Sequence, residues 1–409
     1  MKVDPGLAGF DAGRLARIEE HLRTRYIEPG KIAGCQVLVS RRGQVALSSS
    51  IGSMDLERSK RVYDDTIWRL YSMTKPITGV ALLSLYERGL FELSDPVHRF
   101  LPEWRDVMVK ERAPDGTTSL VAPARPMSIR DVMMHMGGIG YGPRSARLDL
   151  ASITASSSPG ARLGSDMTLE KLSHVLAAEP LRSQPGTRWL YSWSTDICAR
   201  LVEVVSGQSF DEYLRATIFD PLGMTDTGFS VPDSEIDRFA ACYTRNAEKR
   251  LALVDDPLES RYRKPPTLLS GGGGLVATTA DYLRFCRMLL NGGELDGVRV
   301  LSRKTVELMS ANHLPGGGEL REFAHPGGYG EVGFDGSGFG LTVAVGLGPT
   351  RTQSVGSVGE YMWGGLASTI FWIDPAEAMI VIFMTQLIPS GTFNFRGQLH
   401  ALTHGAIND

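Results

Sequence analysis

The sequence contains no long apolar run and no secretory leader pattern. A transmembrane helix needs about 20 consecutive apolar residues, and no stretch of the 409 residues approaches that length. The N-terminus, MKVDPGLAGFDAGRL, carries one lysine but lacks the apolar core of a signal peptide. We therefore expect a cytoplasmic protein that does not associate with membranes.

Cysteine and histidine are sparse, and neither forms a ligand motif. The four cysteines are far apart and lack CxxC spacing, and the eight histidines are scattered without an HExxH pair. These patterns argue against a disulfide framework and against a zinc site. We predict no metal, no cofactor, and buried free thiols at Cys35, Cys198, Cys242 and Cys286.

An excess of charge of one sign is also lacking. Lysine plus arginine number 43 and aspartate plus glutamate 46, which gives a formal net charge of -3. Proteins that bind nucleic acid or anionic membranes carry a basic excess, so we expect neither partner. The 42% of hydrophobic residues is ordinary for a globular protein. A chain of 409 residues exceeds one small domain, so we expect two structural regions.

Strand patterns occur at both ends of the chain, and helical patterns fill the middle. Strands are predicted at 34–40, 44–49, 341–347, 369–373 and 379–384. Helices are predicted at 10–26, 76–88, 128–134, 169–178, 195–206, 210–218 and 279–290. This order predicts an α/β fold in which residues 1–94 and 330–409 form one sheet domain. Residues 95–329 would form a mainly helical region, with a surface loop at 152–164.

The tetrapeptide SMTK at residues 72–75 precedes a predicted helix. Residues three apart share a helix face, so Lys75 would lie beside the Ser72 hydroxyl. Serine needs a base to become a nucleophile, and a lysine whose pKa is lowered by desolvation can accept its proton. The tetrapeptide is common by chance, however. Alone it fits a serine N-cap followed by a surface lysine better than a catalytic pair.

Two further segments carry candidate site residues. In PGTRWLYSW, at residues 185–193, a turn leads through an aromatic stretch into a helix, which places Tyr191 on a loop. A lysine ammonium nearby would favour its phenolate, although a tyrosine hydrogen-bonded in the core explains Tyr191 better when this segment is taken alone. In WGGL, at residues 363–366, the glycines allow close backbone approach to a ligand. A backbone N–H here could join that of Ser72 in binding an oxyanion, and an ordinary strand start is the alternative.

In this order and context, the three segments resemble the family VIII carboxylesterases, relatives of class C β-lactamases and penicillin-binding proteins. The most specific matches are SMTKPITG at 72–79, PGTRWLYS at 185–192, GGGGLVATTADYLRF at 271–285 and WGG at 363–365. The resemblance covers most of the chain. It implies a β-lactamase-like fold, an antiparallel sheet flanked by helices with a mainly helical insertion, and an active site in the cleft between the two regions.

The resemblance also implies roles for individual residues. Ser72 would be the acylated nucleophile, with Lys75 and Tyr191 as its base system. The backbone N–H groups of Ser72 and Leu366 would form the oxyanion hole. Which of Lys75 and Tyr191 accepts the proton stays open.

Two departures from the β-lactamases bear on the substrate. Trp193 stands where those enzymes have an asparagine, and Trp363 where they have a lysine. The loss of an amide-binding and a carboxylate-pairing group removes two polar anchors for a β-lactam. We predict that Trp193, Trp363, Gly364 and Gly365 bind substrate, with the indoles favouring an apolar acyl or alcohol group. No serine lies in a G-x-S-x-G motif, so an α/β-hydrolase nucleophile elbow is excluded.

The sequence therefore predicts a serine carboxylesterase that hydrolyses small-molecule esters of short-chain acids through a covalent acyl-enzyme. A β-lactamase, a D-aminopeptidase or an acyltransferase would use the same site. A non-catalytic binding protein on this scaffold is the alternative of another class. The natural substrate and the oligomeric state stay open.

Overall fold

A computed structural model of the protein describes residues 2–113, 115–140, 166–325 and 329–409. The surface loop predicted at 152–164 lies outside these residues. None of the described helices is both long and apolar enough to cross a lipid bilayer. The four predicted free thiols are confirmed, because each cysteine is buried and unpaired with another.

Strands and helices are interspersed along the described part of the chain. The strands are β1 Gly34–Arg41, β2 Gln44–Asp55, β3 Lys60–Arg61, β4 Ile67–Arg69, β5 Val109–Arg112, β6 Thr118–Val121, β7 Cys242–Arg245, β8 Leu251–Asp255, β9 Val276–Thr278, β10 Glu294–Leu295, β11 Val298–Arg299, β12 Ser337–Phe339, β13 Ala344–Gly346, β14 Tyr361–Gly364, β15 Ile370–Asp374, β16 Met379–Thr385 and β17 Leu387–Ile388. The helices are α1 Ala12–Leu22, α2 Thr74–Glu87, α3 Ile129–Met133, α4 Leu169–Ala177, α5 Ser194–Ser206, α6 Phe210–Leu214, α7 Asp220–Leu222, α8 Thr279–Leu290, α9 Arg303–Met309, α10 Leu320–Phe323, α11 Pro349–Thr352 and α12 Phe395–His404.

Eight of the described strands form one sheet, in the order β12-β13-β14-β15-β16-β1-β2-β3. Its pairings are antiparallel, and β16 lies beside β1 with Cys35 opposite Thr385 and Arg41 opposite Met379. The N-terminal hairpin and the C-terminal strands therefore meet in a single sheet. The boundaries that the sequence suggested for the two regions stay a prediction.

The turn of the first hairpin follows from two residues. Arg42 and Gly43 join β1 to β2 with φ values of 53° and 77°. Positive φ at both central residues defines the turn that matches the twist of antiparallel strands, and glycine adopts it without strain. The hairpin predicted around residues 41–43 is confirmed, although β2 continues to Asp55.

Helices cover both faces of the sheet. Phe371 and Trp372 are neighbours on β15, so their side chains point to opposite faces. Phe371 packs on Tyr282 of α8, with 5.2 Å between the ring centroids. Trp372 packs on His400 of α12 at 4.1 Å. Burial on both faces explains why every residue of β1, β15 and β16 is buried, and why these strands are mainly apolar rather than alternating.

Helix α2 begins earlier than the sequence predicted. A 3-10 turn, Tyr71–Met73, leads directly into α2 at Thr74, so Ser72 lies in the turn before the helix rather than on its first turn. The helix ends before Gly89, whose φ of 68° stops it as predicted. Within α2, a Cβ on Gly79 would lie 2.1 Å from the Thr342 hydroxyl. The absence of a side chain at Gly79 therefore lets the helix pack closely against the chain between β12 and β13.

Two predicted elements are interrupted. The single strand predicted at 341–347 is reduced to β13, because Thr342 adopts a φ of 73° and its N–H bonds to the Met133 carbonyl instead of a strand partner. The helix predicted at 210–218 is α6 followed by a π turn, Arg215–Phe219. In each case a tertiary contact or a local change of hydrogen bonding overrides a continuous apolar pattern.

Candidate active site

Ser72 lies where the chain turns into α2. The preceding residue, Tyr71, has a φ of 45°, a conformation that non-glycine residues adopt with strain. The Tyr71 side chain is buried with Cys242, Ala367 and Ile388, which anchors the turn. Ser72 itself is half-buried. The strained turn thus leaves the Ser72 hydroxyl directed at the groups described next.

Lys75 is the first of these groups. Its Nζ lies 3.1 Å from Ser72 Oγ and 2.6 Å from the Gly272 carbonyl oxygen. The side chain is 3% exposed. Burial lowers the pKa of Lys75 from 10.5 to about 8, while the carboxylates of Asp196 and Glu331 act in the opposite direction. A substantial fraction of Lys75 is therefore neutral near pH 8 and able to accept a proton.

Tyr191 lies on the other side of the same oxygen. Its hydroxyl donates to Ser72 Oγ at 2.6 Å, and Lys75 Nζ lies 4.6 Å from the centre of its ring. The loop that carries Tyr191 is held by a backbone hydrogen bond from Leu190 N–H to the His135 carbonyl at 2.8 Å. Ser72, Lys75 and Tyr191, which the sequence analysis selected, are therefore in mutual contact.

Asp196 is a residue of the site that the sequence analysis missed. It lies in the first turn of α5, five residues after Tyr191 in the sequence. Its Oδ1 accepts hydrogen bonds from Ser270 Oγ at 2.6 Å and from Gly272 N–H at 3.2 Å. Since the carbonyl of Gly272 accepts from Lys75, the backbone of this one residue connects the Asp196 carboxylate to the lysine. The available signal was an acidic residue close to Tyr191 in a buried helix.

The four-glycine run Gly271–Gly274 makes this arrangement possible. A Cβ on Gly271 would lie 2.6 Å from the Cβ of Ala199, and one on Gly272 would lie 2.4 Å from Asp196 Oδ2. A larger residue at Gly271 would displace α5, and one at Gly272 would displace the Asp196 carboxylate. The glycine run therefore allows close contact between this loop and the helix that carries Asp196.

Buried rings support Tyr191 from behind. Trp363 is 0% exposed, and its ring centroid lies 5.5 Å from that of Tyr191. His135 packs against the same tyrosine at 4.9 Å, and burial, followed by the charge of Lys75, holds the His135 pKa well below 6.5. The histidine is therefore neutral. Trp193 is also buried, and its carbonyl accepts the first hydrogen bonds of α5.

The WGG segment lies against the backbone that leads to Ser72. A Cβ on Gly365 would lie 2.2 Å from the Leu70 carbonyl oxygen, a distance that only glycine permits. A Cβ on Gly364 would meet the Thr369 carbonyl at 3.1 Å. The Leu366 side chain packs on the cluster that contains Tyr71. The end of β14 and the turn of Ser72 are therefore adjacent, as a shared oxyanion hole requires.

Two charged residues near the site had no signal in the sequence. Arg396, in α12, donates to the carbonyls of Trp363 at 2.8 Å and Phe371 at 3.2 Å. Burial lowers the Arg396 pKa to about 10, so the guanidinium stays charged at neutral pH. Burial raises the pKa of Glu331, which interacts with both Lys75 and Arg396. Only the tertiary structure brings these residues to Lys75 and β14.

A serine hydroxyl between a buried lysine and a tyrosine, beside the end of a strand in an antiparallel sheet covered by helices, defines a serine hydrolase of the β-lactamase-like superfamily. The chain belongs to the beta-lactamase family, whose profile matches residues 15–404.

Similar proteins support this assignment over nearly the whole chain. Protein Rv1367c of Mycobacterium tuberculosis is 32% identical over 374 residues, which are 88% of each chain. Esterase EstB of Burkholderia gladioli is 28% identical over 410 residues, 95% of each chain. The structure of EstCE1, described as a hydrolase with promiscuous acyltransferase activity, superimposes with a TM-score of 0.76 at 24% identity, covering 97% of this chain and 99% of that one. The predicted β-lactamase-like fold is confirmed.

Proposed function

We propose that this protein is a serine carboxylesterase of the family VIII type, which hydrolyses small-molecule esters of short-chain acids. The observation that carries the proposal is the placement of Ser72 Oγ within 3.1 Å of Lys75 Nζ and 2.6 Å of the Tyr191 hydroxyl. The similarity to the esterase EstB along 95% of the chain supports esters as the substrate class.

The reaction begins with neutral Lys75. Charged Lys75 and the Tyr191 hydroxyl both donate to Ser72 Oγ, at 3.1 Å and 2.6 Å. Once Lys75 has lost its proton, its lone pair is placed to accept the serine proton instead. Ser72 Oγ then attacks the ester carbonyl carbon, and the N–H groups of Ser72 and Leu366 stabilise the oxyanion. The proton passes through Lys75 and Tyr191 to the departing alcohol oxygen as the acyl–oxygen bond breaks. Water then takes the place of the alcohol. It gives a proton to the base and attacks the acyl carbon, and the proton passes to Ser72 Oγ as the acid is released.

The substrate contacts are proposed more narrowly than the sequence suggested. The side chain of Trp363 is buried behind Tyr191, so its effect on substrate would act through the position of that ring. Trp193, Gly364 and Gly365 stay predicted substrate-binding residues. The cytoplasmic location and the cleft between two regions also stay predictions.

Covalent labelling tests the nucleophile. A fluorophosphonate should add one label to the wild-type protein and to the Ser119→Ala variant, whose exposed serine on β6 serves as the matched control. Ser72→Ala should fold normally and take up no label, as read by intact mass. Full labelling of Ser72→Ala would refute the assignment.

Acyl transfer is the second candidate. The structural similarity to EstCE1, a hydrolase with promiscuous acyltransferase activity, favours it, because the two reactions share the acyl-enzyme and differ only in the acceptor. The ratio of free acid to new ester, measured with increasing concentrations of an added alcohol, separates them. A hydrolase yields mainly acid at every alcohol concentration that leaves the protein folded.

A further inference from the structure

Three ligating side chains converge at the end of the sheet remote from Ser72. Glu360 directly precedes β14, Asp374 ends β15 and His404 ends α12. One carboxylate oxygen of each acid and one ring nitrogen of His404 all lie within 4.8 Å of one another. Four residues of β14, at about 3.3 Å each, put this cluster about 13 Å from Gly364. It is therefore separate from the catalytic groups.

Each of these side chains presents a buried atom without a hydrogen-bond partner. Glu360 Oε2, Asp374 Oδ2 and His404 Nε2 are all inaccessible to solvent and lack a partner at hydrogen-bond distance, although the last two are 3.6 Å apart. The Glu360 and Asp374 residues are 4% and 0% exposed. Unpaired buried polar atoms are rare because each loses its hydration without replacement. Three of them facing one point indicate a ligand that accepts electron pairs.

In two of these side chains, the polar atom that faces away from the cluster is held by hydrogen bonds to the backbone, as is usual at metal sites. His404 Nδ1 donates to the His400 carbonyl at 3.0 Å, which leaves the lone pair on Nε2 facing the cluster. Asp374 Oδ1 accepts from the backbone N–H groups of Ala376 at 3.0 Å and Glu377 at 3.2 Å. Metal-binding histidines and carboxylates are typically oriented by such outer hydrogen bonds.

Apart from His404, which forms an ion pair with Asp374 when it is protonated, no nearby cation in the described part of the chain is hydrogen-bonded to the two carboxylates. Arg396 interacts with Glu360 electrostatically, but its guanidinium donates to the backbone of β14 and β15 instead. His400 faces Glu360 at 4.0 Å, but its Nδ1 donates to the Val355 carbonyl at 3.2 Å. Two adjacent buried carboxylates without a bound cation repel each other.

We propose that Glu360, Asp374 and His404 bind a divalent cation of the zinc class. His404 Nε2 and Asp374 Oδ2 are 3.6 Å apart. Two ligands at about 2.1 Å from a zinc ion span this separation at an angle of about 118°, close to tetrahedral. The longer Glu360 side chain supplies the third ligand by a small rotation, and water completes the set. A cavity of about 910 Å³ lined by Glu360 and His400 gives the ion access.

The ion would connect the end of α12 to two adjacent strands. It would therefore stabilise the C-terminal helix on the sheet without taking part in the reaction at Ser72. Neighbouring glycines keep the space for Glu360, since a Cβ on Gly346 or Gly356 would lie 2.8 Å from its side chain. This proposal does not depend on the proposed esterase activity.

Titration of the chelator-treated, full-length protein with ZnCl₂ tests the site. Calorimetry should give one saturable site, and a hundredfold excess of free zinc over Kd should raise the melting temperature by about 3 °C for a chain of this length. Glu360→Gln and His404→Gln should abolish both effects. His174→Gln, which changes an exposed histidine on α4, should retain them. The proposal is overturned if wild type shows no saturable site up to millimolar zinc, or if both cluster variants bind as wild type does.

A spectroscopic measurement on the wild-type protein covers the case in which a cluster variant does not fold. One equivalent of Co²⁺ should give the visible absorption of a four-coordinate nitrogen and oxygen site. Intense near-ultraviolet absorption from cobalt–thiolate bonds would instead assign binding to the cysteines. That result, or a spectrum of six-coordinate cobalt in water, would refute the site.

Discussion

The pKa of Lys75 sets the pH dependence of the proposed reaction, because only the neutral amine can accept the Ser72 proton. At pH 7.5 a lysine with the ordinary pKa of 10.5 is about 0.1% neutral, whereas one with a pKa of about 8 is about 24% neutral. Burial thus supplies about 200-fold more active base. We expect kcat/KM to rise with pH and to level off above a midpoint near pH 8.

Substitution of Asp196 by asparagine tests this reasoning. The Asp196 carboxylate favours the Lys75 ammonium and therefore raises the lysine pKa. Asparagine keeps an oxygen for Ser270 and Gly272 but removes the charge, so the lysine pKa falls and the rise in kcat/KM moves to lower pH. The increase in kcat/KM is limited, since wild type already reaches about 24% of its plateau at pH 7.5. The increase therefore cannot exceed about fourfold at that pH. It can reach about 30-fold at pH 6.5, where only about 3% of wild-type Lys75 is neutral.

The measurement is kcat/KM for nitrophenyl butyrate from pH 6 to 10, corrected for spontaneous hydrolysis. Asp237→Asn, at an exposed carboxylate paired with Lys60, is the matched control and should leave the profile unchanged. A wild-type profile that is flat over this range would mean that Lys75 is not the titrating base. A shift of the Asp196→Asn midpoint to higher pH would contradict the assigned electrostatics.

Three further predictions follow from the geometry. Lys75→Met and Tyr191→Phe should each lower kcat by about 10²–10⁴-fold. The double variant should be little slower than either single variant, because both groups act on the Ser72 oxygen. A loss in the double variant equal to the product of the two single losses would show that the groups act independently. Gly365→Ala should lower both kcat and the melting temperature, because its Cβ would lie 2.2 Å from the Leu70 carbonyl, while Gly333→Ala, with open space at its Cβ, should change neither. Nitrophenyl butyrate should be strongly preferred over a chromogenic cephalosporin in kcat/KM, because a carboxylate without its cationic anchor is costly to bury; a cephalosporin rate equal to the ester rate would show that another cation provides that anchor.

The local part of the site could be predicted from the sequence. Ser72 and Lys75 are three residues apart at a helix start, and this spacing alone brings their side chains together. Tyr191 is 119 residues from Ser72, so no periodicity could pair them, and only the resemblance to a known family did so. The same holds for the approach of Gly365 to Leu70.

The groups that adjust the site were not predictable for a physical reason. Asp196 lies in the first turn of α5, where an acidic residue is already expected to complement the helix dipole. Its contact with Gly272 depends on how closely two distant segments pack. Glu331 and Arg396 likewise reach Lys75 and β14 only because distant segments of the chain pack together. A residue that shifts a pKa through space leaves no local pattern in the sequence.

These groups explain how one lysine can be both buried and suitably basic. Burial alone disfavours the ammonium, and a lysine with a very low pKa would be neutral but a weak base. Asp196 and Glu331 oppose burial, and the result is a pKa of about 8. Asp196 can exert this effect because Gly272 has no side chain, which lets the carboxylate approach the peptide that holds Lys75. The glycine run therefore contributes to the basicity of Lys75, and a larger residue at Gly272 should alter the pH dependence as well as the stability.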